Sequence, residues 1–157
     1  MPRHILFIFI LFSQSFIASV DGCSCFAEIS LQKYLAEATH VFIGTVTHIE
    51  FVQEQLEHRI TFQVEKVFKG VIPSDRRLIA KTALDSASCG VSMRVGEKWQ
   101  VWTYGESDNP SVSLCSPTTK DTSQNINFLN RYASSASSCR QIIAILILPI
   151  LVLINYA

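Results

Sequence analysis

The run Val41-Phe42-Ile43-Gly44-Thr45-Val46-Thr47-His48-Ile49 is followed, past the polar patch Gln53-Glu54-Gln55, by Ile60-Thr61-Phe62-Gln63-Val64-Glu65. The first run is rich in β-branched and aromatic residues, which pack well on a pleated surface, and it predicts a strand. The second alternates, with Ile60, Phe62 and Val64 on one face and Thr61, Gln63 and Glu65 on the other. A period of two marks a half-buried strand. It runs on to Val67 and Phe68 and stops at Lys69-Gly70. The two strands make a hairpin with 53–55 as its turn. Gly44 inside the first strand predicts a bulge or bend, as a small barrel needs at its corners.

Outward from the hairpin, Val71-Ile72-Pro73-Ser74-Asp75 is a connection. Arg77 to Thr82 sets Leu78 and Ala80 against basic residues, a third strand. Asp85-Ser86-Ala87-Ser88-Cys89-Gly90 is loop in composition. Gly96-Glu97 opens a fourth strand, Lys98 to Tyr104, and Gly105 to Pro110 turns. Val112-Ser113-Leu114-Cys115 reads as a short fifth strand. Asp121 or Thr122 is expected to cap a final helix carrying Ile126, Phe128 and Leu129. Upstream, Ile29 to Ala38 has the spacing of a short amphipathic helix, with Ser30 as its cap and Thr39-His40 as its end. The expected fold is all-β with short flanking helices, a five-stranded closed barrel of the OB type. A sandwich would want about seven strands. Trp99 and Trp102 fall on opposite faces of one strand. Trp99 is assigned to the core, and barrel packing is the preferred role for Trp102 over a surface contact.

The ends of the chain have their own signatures. Pro2-Arg3-His4, the apolar run Ile5 to Phe12 and the modest residues Ser19-Val20-Asp21-Gly22 form a secretory signal peptide over 1–22, too short for a membrane span. Cleavage after Gly22 leaves Cys23 as the first residue. Residues 23–132 are then one domain of about a hundred residues, small enough to need staples. Residues 133–140 are a serine-rich linker, and 141–157 are almost wholly apolar. That tail reads as a retained transmembrane anchor or as a lipid-anchor attachment signal that is removed. The retained anchor is the preferred reading, and either one holds an exported domain at a membrane, on its extracellular or periplasmic face.

Thirteen acidic and thirteen basic side chains balance, so nucleic-acid binding through bulk charge is not expected. Five cysteines in an exported chain imply disulfides, with four to pair and one left over. Motifs of zinc proteases, P-loops and serine hydrolases are absent, no cofactor is expected, and the chain is read as a non-enzyme. His48 and His58 flank the hairpin and are read as solvated strand-end residues with no third metal ligand near them. Asn109-Pro110-Ser111 is blocked as a glycosylation site by its proline.

Read together, the cysteine contexts resemble a known family. Cys23-Ser24-Cys25 follows the leader, then Val41-Phe42-Ile43-Gly44-Thr45-Val46, Phe62-Gln63-Val64-Glu65-Lys66-Val67-Phe68-Lys69-Gly70, Ser88-Cys89-Gly90 and Leu114-Cys115-Ser116. This resembles the N-terminal domain of the tissue inhibitors of metalloproteinases, within the netrin-type modules, and is most similar to short single-domain bacterial relatives. The resemblance spans Cys23 to about Leu129. It implies the bonds Cys23–Cys89 and Cys25–Cys115, each worth on the order of 4 kcal/mol by chain entropy. It also implies that the amine and carbonyl of Cys23 chelate the zinc of a target metalloendopeptidase. Ser24 would enter the protease's specificity pocket, flanked by the loop Asp85, Ser86, Ala87 and Ser88. The family's third disulfide and second domain have no counterpart here, and Cys139 is expected to be free or intermolecular.

The expected function is exported zinc-metalloprotease inhibition. The alternative is a netrin-type interaction or adhesion module at the cell surface that inhibits nothing, with Cys23 and Cys25 serving only as disulfide halves. Val20-Asp21-Gly22-Cys23 also loosely resembles a bacterial lipoprotein box, although Asp21 fits it poorly. A lipid on Cys23 would block both its thiol and its amine.

Overall fold

The face shared by Ile60, Phe62 and Val64 becomes the buried side of a long strand, because each of these residues is almost fully excluded from solvent. A computed structural model describes residues 22–25 and 29–135. Four strands form one antiparallel sheet: β1 His40–Val52, β2 Glu57–Lys69, β3 Arg77–Ala83 and β4 Lys98–Thr103. Their order is β3-β2-β1-β4. The β1–β2 hairpin is longer than its apolar pattern suggests. Pairing continues through Phe51↔His58 and Val52↔Glu57, where both partners are largely polar or solvated. The turn closes at Leu56, whose φ is 50°.

Register shifts between β1 and β2 fall at Val41/Phe42, Ile43/Gly44 and Val46/His48. Gly44 is the reason that the one at Ile43/Gly44 is tolerated. A Cβ there would lie 2.8 Å from the carbonyl oxygen of Gln63 and 3.3 Å from the Phe42 ring. The bend expected at Gly44 is therefore present. Bulges of this kind increase strand twist, and the sheet curls into a half-barrel.

Each face of the sheet has its own apolar cluster. On one face Phe42, Val46, Phe62, Leu78, Trp99 and Val101 pack with Val91, Met93 and Val112 from the loops. Phe42 and Phe62 meet edge to face at 5.4 Å. On the other face Val41, Phe68 and Trp102 pack against Leu35 and Ala38 and against Leu129. The elements that cover this second face are the helix α1, Leu31–Glu37, and a helix α2 over 126–135. Trp102 is fully buried there. It is a core residue of the second cluster.

Ser30 caps α1 as expected, its hydroxyl accepting from the Lys33 N–H at 3.3 Å. At the other end of α1, Lys69 of β2 donates through Nζ to the carbonyls of Leu35 and Ala36 at 2.7 and 2.9 Å. A cation on the last carbonyls of a helix opposes the negative end of its dipole. Helix α2 starts later than expected. The Asp121 carboxylate accepts from the N–H and hydroxyl of Ser123, and so stabilises the turn ahead of the helix. Residues 133–135, expected as linker, continue α2.

The expected five-stranded closed barrel is not what forms. The sheet has four strands and is open. Val112–Cys115 is not a strand, and the chain beyond β4 meets the sheet edges through isolated bridges, of Ser111 to Lys81 and to Tyr104 and of Thr119 to Gln100. Two local causes cut the strand short. Pro110 has no N–H to give a ladder. Past Val112, serine side chains take over the backbone: Ser113 Oγ accepts from Cys115 N–H at 3.2 Å, and Ser113 C=O accepts from the Ser116 hydroxyl at 2.7 Å. Such local bonds compete with sheet pairing.

The expected transmembrane helix is not found among the described residues either. Among the described residues no helix is long and apolar enough to cross a membrane. The segment 141–157, the leader up to residue 21, the rest of the linker and Cys139 lie outside the described residues.

Candidate functional site

Three segments meet at one end of the half-barrel: residues 22–25, the loop after β3, and the turn around Cys115. Two disulfides hold them together. Cys23 is bonded to Cys89 with Cα atoms 4.9 Å apart, and Cys25 to Cys115 with Cα atoms 5.3 Å apart. These are the pairs that the resemblance implies. Ser24 stands exposed between the two half-cystines.

The loop after β3 is shaped by its own sequence. Asp85 accepts from the Ser88 N–H and hydroxyl, both at 2.9 Å. Those two bonds hold its carboxyl below the usual carboxylate range. Cys89 then takes a left-handed conformation, φ 65°, and Gly90 donates to the carbonyl of Asp85 at 2.7 Å. A Cβ on Gly90 would lie 2.1 Å from the carbonyl oxygen of Ala83, so only glycine lets the loop fold back over the end of β3. Val91 N–H then bonds the buried Thr82 hydroxyl at 2.9 Å. Glycine after Cys89 is thus a steric requirement of the loop that carries the cysteine. The third segment is tied in by Leu114 N–H, which donates to the Cys89 carbonyl at 3.0 Å.

Among the described residues, the sulfurs of Cys23, Cys89 and Cys115 form a group that lies within 4.8 Å of one another. All three are consumed in disulfides, which offer no thiolate to a metal. The donors left on residues 22–25 are main-chain groups and the hydroxyl of Ser24. The Cys23 nitrogen is an amide while Gly22 precedes it, and becomes a lone-pair donor only after the 22–23 bond is cut.

His48 and His58 do not meet. His48 pairs with Thr61 and is exposed; His58 pairs with Phe51, its ring tilted against that of Phe51 with centroids 5.4 Å apart, and it is half-buried with Nδ1 out of solvent rather than solvated as expected. The histidine that the sequence did not single out is the buried one. His40 is 1% exposed. Its Nδ1 is 3.1 Å from the Thr103 hydroxyl, and its Nε2 lies 3.5 Å from that of Ser107. Burial lowers its pKa, against a backbone hydrogen bond at Val71. It lines a cleft of about 530 Å³ with Arg77 and Asp108. A lone histidine at the start of a strand carries no pattern from which this could be read.

No family model matches this chain, and no curated protein does.

Proposed function

We propose that the mature chain is an inhibitor of zinc metalloendopeptidases that acts through residues 23 and 24. The observation that carries this reading is the exposed Ser24, held between two half-cystines that are each tied to a different loop. A peptide fixed at both flanks gives up little conformational freedom on entering a cleft, so more of its contact energy appears as affinity. Once Gly22 is removed, the amine and carbonyl of Cys23 make a five-membered chelate for a zinc with an open coordination position. Ser24 is then the side chain presented to the adjoining pocket, beside the braced loop Asp85 to Ser88.

The test is a titration of the domain beginning at Cys23 against a panel of zinc endopeptidases. Inhibition is expected with a free amine, and its loss is expected when the amine is acetylated or one residue precedes it, with the circular dichroism spectrum unchanged. Ser24→Arg is expected to weaken inhibition by steric clash, separately from the metal bond. Equal inhibition by the blocked and free forms, or none by either, overturns the reading and leaves an interaction module.

A further inference from the structure

The two disulfides are in contact with each other. Cys115 Sγ lies 3.8 Å from Cys23 Sγ and 4.0 Å from Cys89 Sγ. It therefore sits beside the Cys23–Cys89 bond, nearly equidistant from its two sulfurs. Of the four disulfide-bonded cysteines, Cys25 is the exposed one, and Cys23, Cys89 and Cys115 are half-buried. Cys25 is thus the residue of the four most open to a thiol entering from solvent.

We propose that the four bonded cysteines form a thiol-exchange relay, with Cys25 as the entry point and Cys115 as the pivot, that unfastens the N-terminal segment at a constant total of S–S bonds, one of them becoming a mixed disulfide with the external thiol. An external thiolate attacks Cys25 Sγ. The new bond joins that thiol to Cys25, the Cys25–Cys115 bond breaks, and the electron pair leaves on Cys115. Release from Cys25 frees the Cys115 side chain to rotate from its side-on position into line with the neighbouring bond. The Cys115 thiolate then attacks Cys89 Sγ. The Cys89–Cys115 bond forms, the Cys23–Cys89 bond breaks, and Cys23 leaves as a thiolate that takes a proton from water. Exchange of this kind needs an attackable first disulfide and a second sulfur within reach of the next bond; Cys25 is the exposed half of the first, and Cys115 Sγ already touches the second.

Attack on Cys89 is favoured over attack on Cys23 for a structural reason. The segments bearing Cys89 and Cys115 are already joined by the Leu114 N–H to Cys89 C=O bond at 3.0 Å, so the new disulfide links neighbours. Both displaced sulfurs, Cys23 and Cys25, then belong to one short terminal segment that gains freedom as it leaves. The relay rests on the cysteines alone and holds whether or not the chain inhibits a protease.

The experiment is exposure of the full chain to reduced glutathione, with acid quenching at intervals, alkylation and peptide mapping without reduction. The expected early product carries glutathione on Cys25, the alkyl label on Cys23 and a Cys89–Cys115 cross-link. A product labelled at Cys115 with Cys23–Cys89 intact overturns the pivot. First modification at Cys23 or Cys89, or no modification, overturns the entry point. A second arm uses Cys25→Ser, in which Cys115 has no native partner from the start. Cys89–Cys115 with a free Cys23 is expected to accumulate there without added thiol, and full retention of Cys23–Cys89 beside an alkylated Cys115 overturns the proposal. If Cys25→Ser does not fold, the glutathione time course on the unaltered chain decides.

Discussion

At the scale of single residues, two positions carry constraints out of proportion to their size. Gly90 sits where any side chain meets the backbone of Ala83, and a carbonyl cannot rotate away as a flexible side chain would. Gly90→Ala is expected to cost about 3 kcal/mol, the upper end for overpacking, read as a lower urea midpoint at unchanged slope. His40 makes a different prediction. Burial lowers its folded pKa below the ordinary value of about 6.5, so the unfolded chain binds the proton more readily. Stability is then fully present above the unfolded value and is lost as pH falls from there through the folded one. The melting temperature should drop on acidification below about pH 6.5, and His40→Asn should flatten that part of the profile. An equal slope in the variant would show that other groups set it. Cys89-Gly90 was legible because a motif carried it, whereas His40 was not, since its role depends on burial between segments distant in sequence.

The elements divide by how local their causes are. The alternation along β2 and the cap at Ser30 are short-range signals, and the inner part of β2 and the capped helix stand where they were expected. The outer half of the hairpin was missed, because Glu57-His58-Arg59 has no apolar face and is paired only by continuing a ladder begun at Ile60. The fifth strand failed for the opposite reason. Val112 and Leu114 have the right residue types, but Pro110 and the bonds of Ser113 end the extended stretch within a few residues. The start of α2 was misplaced because Asp121 is spent on a turn. Trp102 is the residue on which the second face depends, packed with Leu35 of α1 and Leu129 of α2. Trp102→Ala is expected to cost about 3–5 kcal/mol, and hydrogen exchange should show α1 and α2 losing protection more than the β2–β3 pair. Lys69→Met, which removes the cation from the end of α1, should cost about 1 kcal/mol and be felt chiefly in that helix.

For the molecule as a whole, two covalent links span sequence separations of 66 and 90 residues. Chain entropy gives each about 4–5 kcal/mol, comparable to the net stability of many small domains. The double variant Cys25→Ser with Cys115→Ser is expected to lose on the order of 4 kcal/mol in guanidinium titration, and adding reductant to it should cost a similar amount again. The separations also set an order of events. Cys23 and Cys25 are made first, yet Cys89 follows 66 residues behind Cys23, or roughly 3–13 s at ordinary synthesis rates. Cys115 comes later still. For that interval the leading cysteines have no native partner in existence. Oxidation as the chain emerges can join Cys23 and Cys25 only to each other or to another molecule. A correctly bonded product therefore depends on a thiol-disulfide isomerase, or on oxidation held back until residue 115 has been delivered. Yield of the correctly bonded chain should follow isomerase supply more closely than it follows thermodynamic stability.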